Sequence, residues 1–142
     1  MQPETTLTPQ QIAHILYERD AFTQLLGLQL DEVRQGYCRL HFVVRNDMMN
    51  GFGIIHGGAV FSASDSAFAF ACNSYGNITV ALDVSITFTN AAKVGDVLTV
   101  EAVEMHKGNR TGLYEIRTTN EAGELVALFK GTAYGTSRMI EP

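Results

Sequence analysis

The spacing of apolar residues changes along the chain and separates helical segments from extended ones. Ile12, Ile15 and Phe22 recur at the spacing of one helix face. They predict an N-terminal helix over residues 10–26 that ends at Gly27, since glycine often follows a helix C-terminus. The first element of the chain is therefore expected to be an amphipathic helix.

Strand-like alternation follows this helix and returns in the second half of the chain. Residues 28–34 and 37–44 predict a hairpin around Gln35 and Gly36. From Ile78 onward the apolar residues again recur with a period of two. This period predicts four strands, at residues 79–90, 97–107, 111–120 and 125–137. The short turns between these strands favour an antiparallel meander.

Between the two groups of strands lies a segment that is apolar on almost every side. Residues 57–75 carry mainly small and apolar side chains, interrupted by a few polar ones. A helix of this composition is expected to be buried nearly all round. A sheet of few strands can bury such a helix by curling around it. The sequence thus predicts an α+β fold, with an antiparallel sheet wrapped around a long central helix.

Composition fits one globular domain spanning residues 1–142. Apolar residues make up 46% of the 142 residues and charged residues 18%, a balance typical of a domain with a substantial core. The net charge is −5 and the pI is near 5.2. Nucleic acid is therefore not an expected partner, because no positive field attracts its phosphates.

The cysteines and the first residues of the chain bear on its location. Cys38 and Cys72 lack the spacing of metal ligands and predict buried free thiols of a cytoplasmic protein. The segment from Met1 to Leu16 lacks the basic and apolar regions of a signal peptide. Polar residues interrupt the longest apolar stretch, so neither a membrane span nor a membrane partner is expected.

The residues best suited to chemistry lie at the start of the central helix. Asn50 is followed by His56, Gly57 and Gly58, and Asp65 lies about two turns inside the helix. A carboxylate among apolar side chains is costly unless a neighbour satisfies it. Such a carboxylate is also a candidate for catalysis.

The chain carries a longer pattern around these residues. It reads N-G-x4-H-G-G-x6-D-x-A-F-A-x-A-C-N-S and runs from Asn50 to Ser74. The chain resembles hotdog-fold acyl-CoA thioesterases of the phenylacetate-degradation (PaaI) type. It does so in this pattern, in the turns at residues 94–96 and 107–112, and in the segment 126–131. The resemblance implies homodimers that join two sheets edge to edge, and homotetramers. It also implies hydrolysis of acyl-CoA, with an aromatic acyl group of phenylacetyl type, by an acid on the central helix. Coenzyme A is then part of the substrate, and no separate cofactor is expected.

Thioester hydrolysis needs a nucleophile or base, and donors for the oxyanion that develops on the carbonyl. Asp65 is the candidate nucleophile or general base. The Gly58 amide is the candidate oxyanion donor, because amides in the first turn of a helix lack intrahelical partners. Gly57 lets the substrate carbonyl come close, since it has no side chain. His56 is expected to fix the loop or to donate to the thioester, and Asn50 to orient a water or the carboxylate.

Three further residues are candidates for substrate contacts. Ser85 lies in a predicted strand near the helix and could hold the attacking water, by analogy with hydroxyl residues in this strand of relatives. Lys107 and Arg110, in a glycine-containing turn, could bind the phosphates of coenzyme A. Residues 89–93 depart from the family pattern, which has a basic residue and a proline there.

Helix geometry limits how the candidate residues can act together. Asp65 follows Gly58 by seven residues, or about 10 Å at 1.5 Å per residue. A reacting carbon must lie within about 3–3.5 Å of its nucleophile while its oxygen meets the oxyanion donor. One straight helix cannot place both groups on one carbonyl. We therefore expect a site shared across a dimer, in which Asp65 acts on a thioester held by the glycine loop of a second subunit.

Other interpretations of the same residues are open. Asp65 could be a structural acid held by Ser62 and Ser66. On the same fold, the chain could bind acyl-CoA or an acyl carrier without hydrolysing it, or it could hydrate an enoyl-CoA. The three other histidines are scattered along the chain, so no metal site is expected.

Overall fold

A computed structural model describes residues 4–142 of the chain. Residues 1–3, at the start of the segment in which no signal peptide is expected, lie outside this range. The described residues form the helices and strands α1 (Pro9–Arg19), α2 (Ala21–Leu25), β1 (Gln29–Arg34), β2 (Tyr37–Val43), α3 (Gly57–Cys72), β3 (Asn77–Phe88), β4 (Val97–Lys107), β5 (Thr111–Thr119) and β6 (Leu125–Met139). A short 3-10 helix, Asn46–Met48, lies in the loop between β2 and α3.

The strands form one antiparallel sheet in the order β1-β2-β4-β5-β6-β3. The predicted hairpin of β1 and β2 is confirmed, and β4, β5 and β6 form a meander. The expectation that β3 belongs to this meander is wrong, because β3 pairs with β6 at the far edge. The loop of residues 89–96 carries the chain from β3 back to β2, where Val44 N–H donates to Asp96 O at 2.9 Å. This loop is a crossover rather than a hairpin turn, so β4 pairs with β2.

The core lies between α3 and the inner face of the sheet. Phe68 of α3 is buried, and its ring centroid lies 5.5 Å from that of Tyr114 and 5.9 Å from that of Phe129. Gly131 leaves space for this ring, since a Cβ at that position would lie 2.7 Å from it. The predicted α+β fold, a sheet wrapped around a long central helix, is confirmed.

The N-terminal helix differs from its prediction. Residues 10–26 form two helices because Asp20 ends α1 and caps α2. The Asp20 side chain accepts a hydrogen bond from Thr23 N–H at 3.0 Å. The apolar stripe continues through Asp20, so the break leaves no trace in the spacing of apolar residues.

Two other element ends also differ from prediction. Helix α3 ends three residues early, because Asn73 Oδ1 accepts from Thr79 N–H at 2.9 Å and turns the chain into β3. The tail of residues 139–142, expected to be loose, is partly fixed. Ile140 is buried, and its N–H donates to Gly76 O at 2.8 Å.

Both cysteines lie inside the protein. Cys38 and Cys72 are buried and not bonded to each other, which confirms the prediction of free buried thiols. Burial raises the pKa of each thiol to about 12, so both stay protonated at neutral pH. Across residues 4–142, no helix combines the length and the apolar composition needed to cross a membrane.

Candidate active site

His56 is the N-cap of α3 and fixes the loop that leads into the helix. Its backbone N–H donates to Met48 O at 2.8 Å, and its Nδ1 accepts from Gly58 N–H at 2.8 Å. Because Nδ1 accepts, the proton of the neutral imidazole lies on Nε2. Fixing the loop is one of the two roles expected for His56.

The two glycines after His56 differ in what their amides do. The Gly58 amide, the expected oxyanion donor, already donates to His56, so it is not open to a substrate carbonyl. The Gly57 amide has no acceptor among the described residues. Gly57 lines a cavity of about 370 Å³ together with Asn50 and Phe88. Among the described residues, the open amide of this turn is therefore that of Gly57 and not that of Gly58.

The two ends of the Asn50 side chain have different surroundings. Its Oδ1 accepts from Phe52 N–H at 2.9 Å and from Ile54 N–H at 3.3 Å, which stabilises the turn before α3. Its Nδ2 has no partner among residues 4–142. Asn50 thus forms the turn with its oxygen and keeps two amide hydrogens for the cavity that it shares with Gly57.

Asp65 is a half-buried acid whose carboxylate accepts no hydrogen bond from any described residue. The two serines that could have satisfied it bond elsewhere. Ser62 Oγ donates to Gly58 O at 2.8 Å, and Ser66 Oγ lies 2.8 Å from Thr23 Oγ1. Burial and, second, the negative charge of Asp20 raise the pKa of Asp65. The alternative of a structural acid held by local serines is therefore not supported.

A single chain does not bring Asp65 to the open amide. Helix α3 is continuous over 16 residues, and Asp65 follows Gly57 by eight, or about 12 Å of helix rise. A nucleophile and an oxyanion donor on one carbonyl lie within a few ångströms of each other. The distance argument from the sequence thus holds for Gly57 as it did for Gly58.

Ser85 lies on the outer face of the sheet, away from α3. It is opposite Lys130 of β6, and both side chains are exposed. Its neighbours Val84 and Ile86 pack against the core instead. The reason is a bulge between Ala81 and Asp83, which shifts the alternation of β3 by one residue. Within one chain Ser85 therefore cannot hold a water near Asp65.

Lys107 and Arg110 lie at the other end of α3 from the glycines. Lys107 Nζ is 4.6 Å from the centre of the Tyr75 ring, just beyond the C-terminus of α3. Arg110 is exposed, and its Nη1 donates to Tyr134 Oη at 3.4 Å. Because α3 spans about 24 Å, one chain does not bring these two cations to Gly57.

Sequence reasoning missed two contributors to the surroundings of the site. Phe22 and Leu25 of α2 are exposed apolar residues, and they line a cavity of about 310 Å³ with His56 and Gly58. Asp20, at the junction of α1 and α2, interacts electrostatically with Asp65 of α3. The spacing Asp-x-x-Thr at residues 20–23, typical of a helix start, is the signal that could have revealed this junction.

The sequence matches the model of one protein family. The family is described as the thioesterase superfamily, and the match covers residues 52–127. This segment is more than half of the chain and contains His56, both glycines and Asp65.

Similar proteins and structures agree with this match. Acyl-coenzyme A thioesterase PaaI of Escherichia coli (strain K12) is 40% identical over 124 residues, which are 87% of this chain and 89% of that protein. A solved structure of the E. coli PaaI protein, from the phenylacetic acid degradation operon, has a TM-score of 0.91 at 38% identity and covers 94% of this chain and 96% of that one. A hypothetical thioesterase protein from Streptococcus pneumoniae, solved with coenzyme A, is 28% identical with a TM-score of 0.76, covering 80% of this chain and 88% of that one.

Proposed function

The chain belongs to the thioesterase superfamily and is an acyl-CoA thioesterase, and from this premise we propose that Asp65 is its catalytic carboxylate. The observation that carries the proposal is the isolation of this acid. It is half-buried on the central helix, and no described residue donates a hydrogen bond to it. The raised pKa of its carboxyl makes the carboxylate more basic, which suits proton transfer near neutral pH.

Two sequences of steps fit a carboxylate in this position. In the first, an Asp65 oxygen attacks the thioester carbonyl, the C–S bond breaks, and water hydrolyses the resulting mixed anhydride. In the second, Asp65 takes a proton from a water as that water attacks, and the proton then passes to the departing CoA thiolate. Both sequences end in a free acid and CoA-SH.

In either sequence negative charge develops on the carbonyl oxygen, and the Gly57 amide is the donor that we assign to it. This amide has no acceptor among the described residues and belongs to the first turn of a 16-residue helix, where the helix dipole favours negative charge. Asn50 lines the same cavity, and its amide hydrogens, which have no acceptor among residues 4–142, suit it to orient the water or the carboxylate. His56 holds the loop in place.

The separation of Gly57 and Asp65 leads us to propose that each active site combines two subunits of a homodimer. Strand β3 is an edge strand with exposed Val80 and Leu82, 49% and 63% exposed. Such an edge favours pairing with the same edge of a second chain. Phe88, the last residue of β3, lines the cavity beside Gly57. Pairing along β3 would therefore bring a second subunit close to the open amide.

The same reasoning extends the proposal to a tetramer and to CoA binding. Val103, Met105 and Leu113 are exposed apolar residues on the neighbouring strands β4 and β5, and a second dimer could cover them. Lys107 and Arg110, remote from Gly57 in one chain, are candidates for binding CoA phosphates at a neighbouring subunit's site.

For the substrate, we propose acyl-CoA thioesters with small to medium-sized acyl groups, including aromatic groups of phenylacetyl type. The cavity of about 370 Å³ beside Gly57 has apolar walls that include Val60, Phe88 and Val126, which suits an apolar acyl group. The likeness to the E. coli PaaI protein, which comes from the phenylacetic acid degradation operon, supports the aromatic type.

The test of Asp65 is a panel of acyl-CoA substrates offered to the wild type and to Asp65→Asn. The wild type should release CoA, and the variant should lose about 10²–10⁴-fold in turnover, because that is the usual contribution of a general base. A folded variant with unchanged turnover would contradict the assignment. Saturable acyl-CoA binding by the wild type without CoA release would instead identify a binding module.

A further inference from the structure

The junction of α1 and α2 is held by the carboxylate of Asp20. Asp20 lies between the two helices. Its Oδ1 accepts from Thr23 N–H at 3.0 Å, and its Oδ2 accepts from Thr23 Oγ1 at 2.6 Å. Both carboxylate oxygens thus bind one residue, which fixes the start of α2.

Thr23 connects this junction to α3. It is fully buried, and its Oγ1 lies 2.8 Å from Ser66 Oγ. The single hydroxyl proton of Thr23 is directed to Asp20, so Ser66 must donate to Thr23. The result is a directed chain of hydrogen bonds from Ser66 through Thr23 to Asp20. Ser66 is the residue directly after Asp65 on α3.

We propose that Asp20 is a positioning residue of the active site, which holds α2 against α3 through Thr23 and Ser66 and presents its negative charge to the catalytic Asp65. This inference rests on the proposed function of Asp65. It adds a residue that never touches the substrate but sets the electrostatic surroundings of the one that does.

Asp20, at the junction of α1 and α2, is the charged group that raises the pKa of Asp65, second to burial. Cys72 lies farther along α3 and is neutral at neutral pH, since burial raises the pKa of its thiol to about 12. Like charge disfavours ionisation, so Asp20 adds to the effect of burial and makes the Asp65 carboxylate a stronger base.

Replacing Asp20 by asparagine removes the negative charge and keeps a side chain of the same shape. In Asp20→Asn the side-chain oxygen still accepts from Thr23 N–H, and the new amide donates to Thr23 Oγ1. The Thr23 hydroxyl then donates to Ser66 Oγ, so the junction keeps its hydrogen bonds with their direction reversed. The matched control is Glu18→Gln, which removes one negative charge from the exposed surface of α1. Two quantities are measured: the pH dependence of kcat/KM, and the pKa of Asp65 from carboxyl ¹³C NMR titration.

In Asp20→Asn the acid limb of kcat/KM should move to lower pH, and the NMR pKa of Asp65 should fall in parallel. The Asp65 pKa should nevertheless stay above its ordinary value of 3.8, since burial is the larger cause. Glu18→Gln should leave both quantities in place. An unmoved Asp65 pKa in Asp20→Asn, or an equal shift in Glu18→Gln, would overturn the inference.

Asp20→Ala tests the positioning part, because it removes the hydrogen bonds as well as the charge. It should move the acid limb in the same direction as Asp20→Asn and should lower kcat further. Equal kcat in the two variants would mean that Asp20 positions nothing. Failure of the proposed function is distinguishable, since Asp65→Asn would then keep its turnover while the NMR titration of Asp65 still reports the effect of Asp20.

Discussion

Glu104 on β4 and Asp65 on α3 are both half-buried carboxylates, yet their surroundings are opposite. Glu104 accepts hydrogen bonds from Tyr75 Oη at 2.9 and 3.1 Å and from Tyr114 Oη at 3.1 Å. Asp65 accepts none from the described residues. Acids that serve only the fold are normally satisfied by the fold. An acid left without partners is unfavourable for stability, which is why we propose a chemical role for Asp65.

The tyrosines around Glu104 reinforce this contrast. Burial and the nearby carboxylate raise the pKa of Tyr75 to about 12, and burial and the same carboxylate also raise that of Tyr114. Both hydroxyls therefore keep their protons at neutral pH and remain donors. Near the end of α3 the carboxylate of Glu104 is satisfied by two tyrosines, whereas no described residue donates a hydrogen bond to Asp65.

The largest effect on stability is expected where the carboxylate is satisfied. Glu104→Ala removes both oxygens that accept from the Tyr75 and Tyr114 hydroxyls. The free energy of unfolding should fall by about 1–3 kcal/mol, since buried hydroxyls lose an acceptor. Chemical denaturation measures this, and turnover of the folded variant should match the wild type. A loss of turnover as large as that of Asp65→Asn would contradict the distinction between Glu104, which stabilises the fold, and Asp65, which we propose to be catalytic.

A smaller effect of opposite sign is expected at Asp65. Its pKa is raised in the folded state, so the protonated form stabilises the fold and this contribution is lost as the pH rises through the raised pKa. At neutral pH Asp65→Asn should therefore have a higher Tm than the wild type. The difference should shrink as the pH falls toward 3.8, the ordinary pKa of aspartate. Differential scanning calorimetry across pH checks this, and a lower Tm for the variant at neutral pH would contradict it.

Much of the fold could be predicted because its elements are bounded by clear local signals. Strand β4 has the predicted ends, Val97 and Lys107, since turn residues stand on both sides of it. The place of β3 in the sheet could not be predicted, because alternation gives the two faces of a strand but not its neighbour. The break at Asp20 was missed because the apolar stripe runs through it, although Asp20 and Thr23 have the spacing of a helix start.

The candidate site residues were chosen by type and spacing, but the roles proposed for them depend on contacts that the sequence does not contain. Either glycine could have offered its amide until the His56 side chain was seen to take that of Gly58. Ser85 turned outward because one bulge in β3 reversed the alternation. The helix-rise argument was independent of such details, since it needs only that Gly57 and Asp65 share one continuous helix.

The measurement that tests the shared site most directly is complementation between two inactive variants. Asp65→Ala removes the carboxylate, and Gly57→Val places a side chain where a Cβ would lie 3.0 Å from Phe88 and would crowd the cavity. In an equal mixture after subunit exchange, half of the dimers are mixed, and each has one intact site of two. The account predicts recovery of about a quarter of wild-type turnover. No recovery despite confirmed exchange would show that Gly57 and Asp65 do not act together across two subunits.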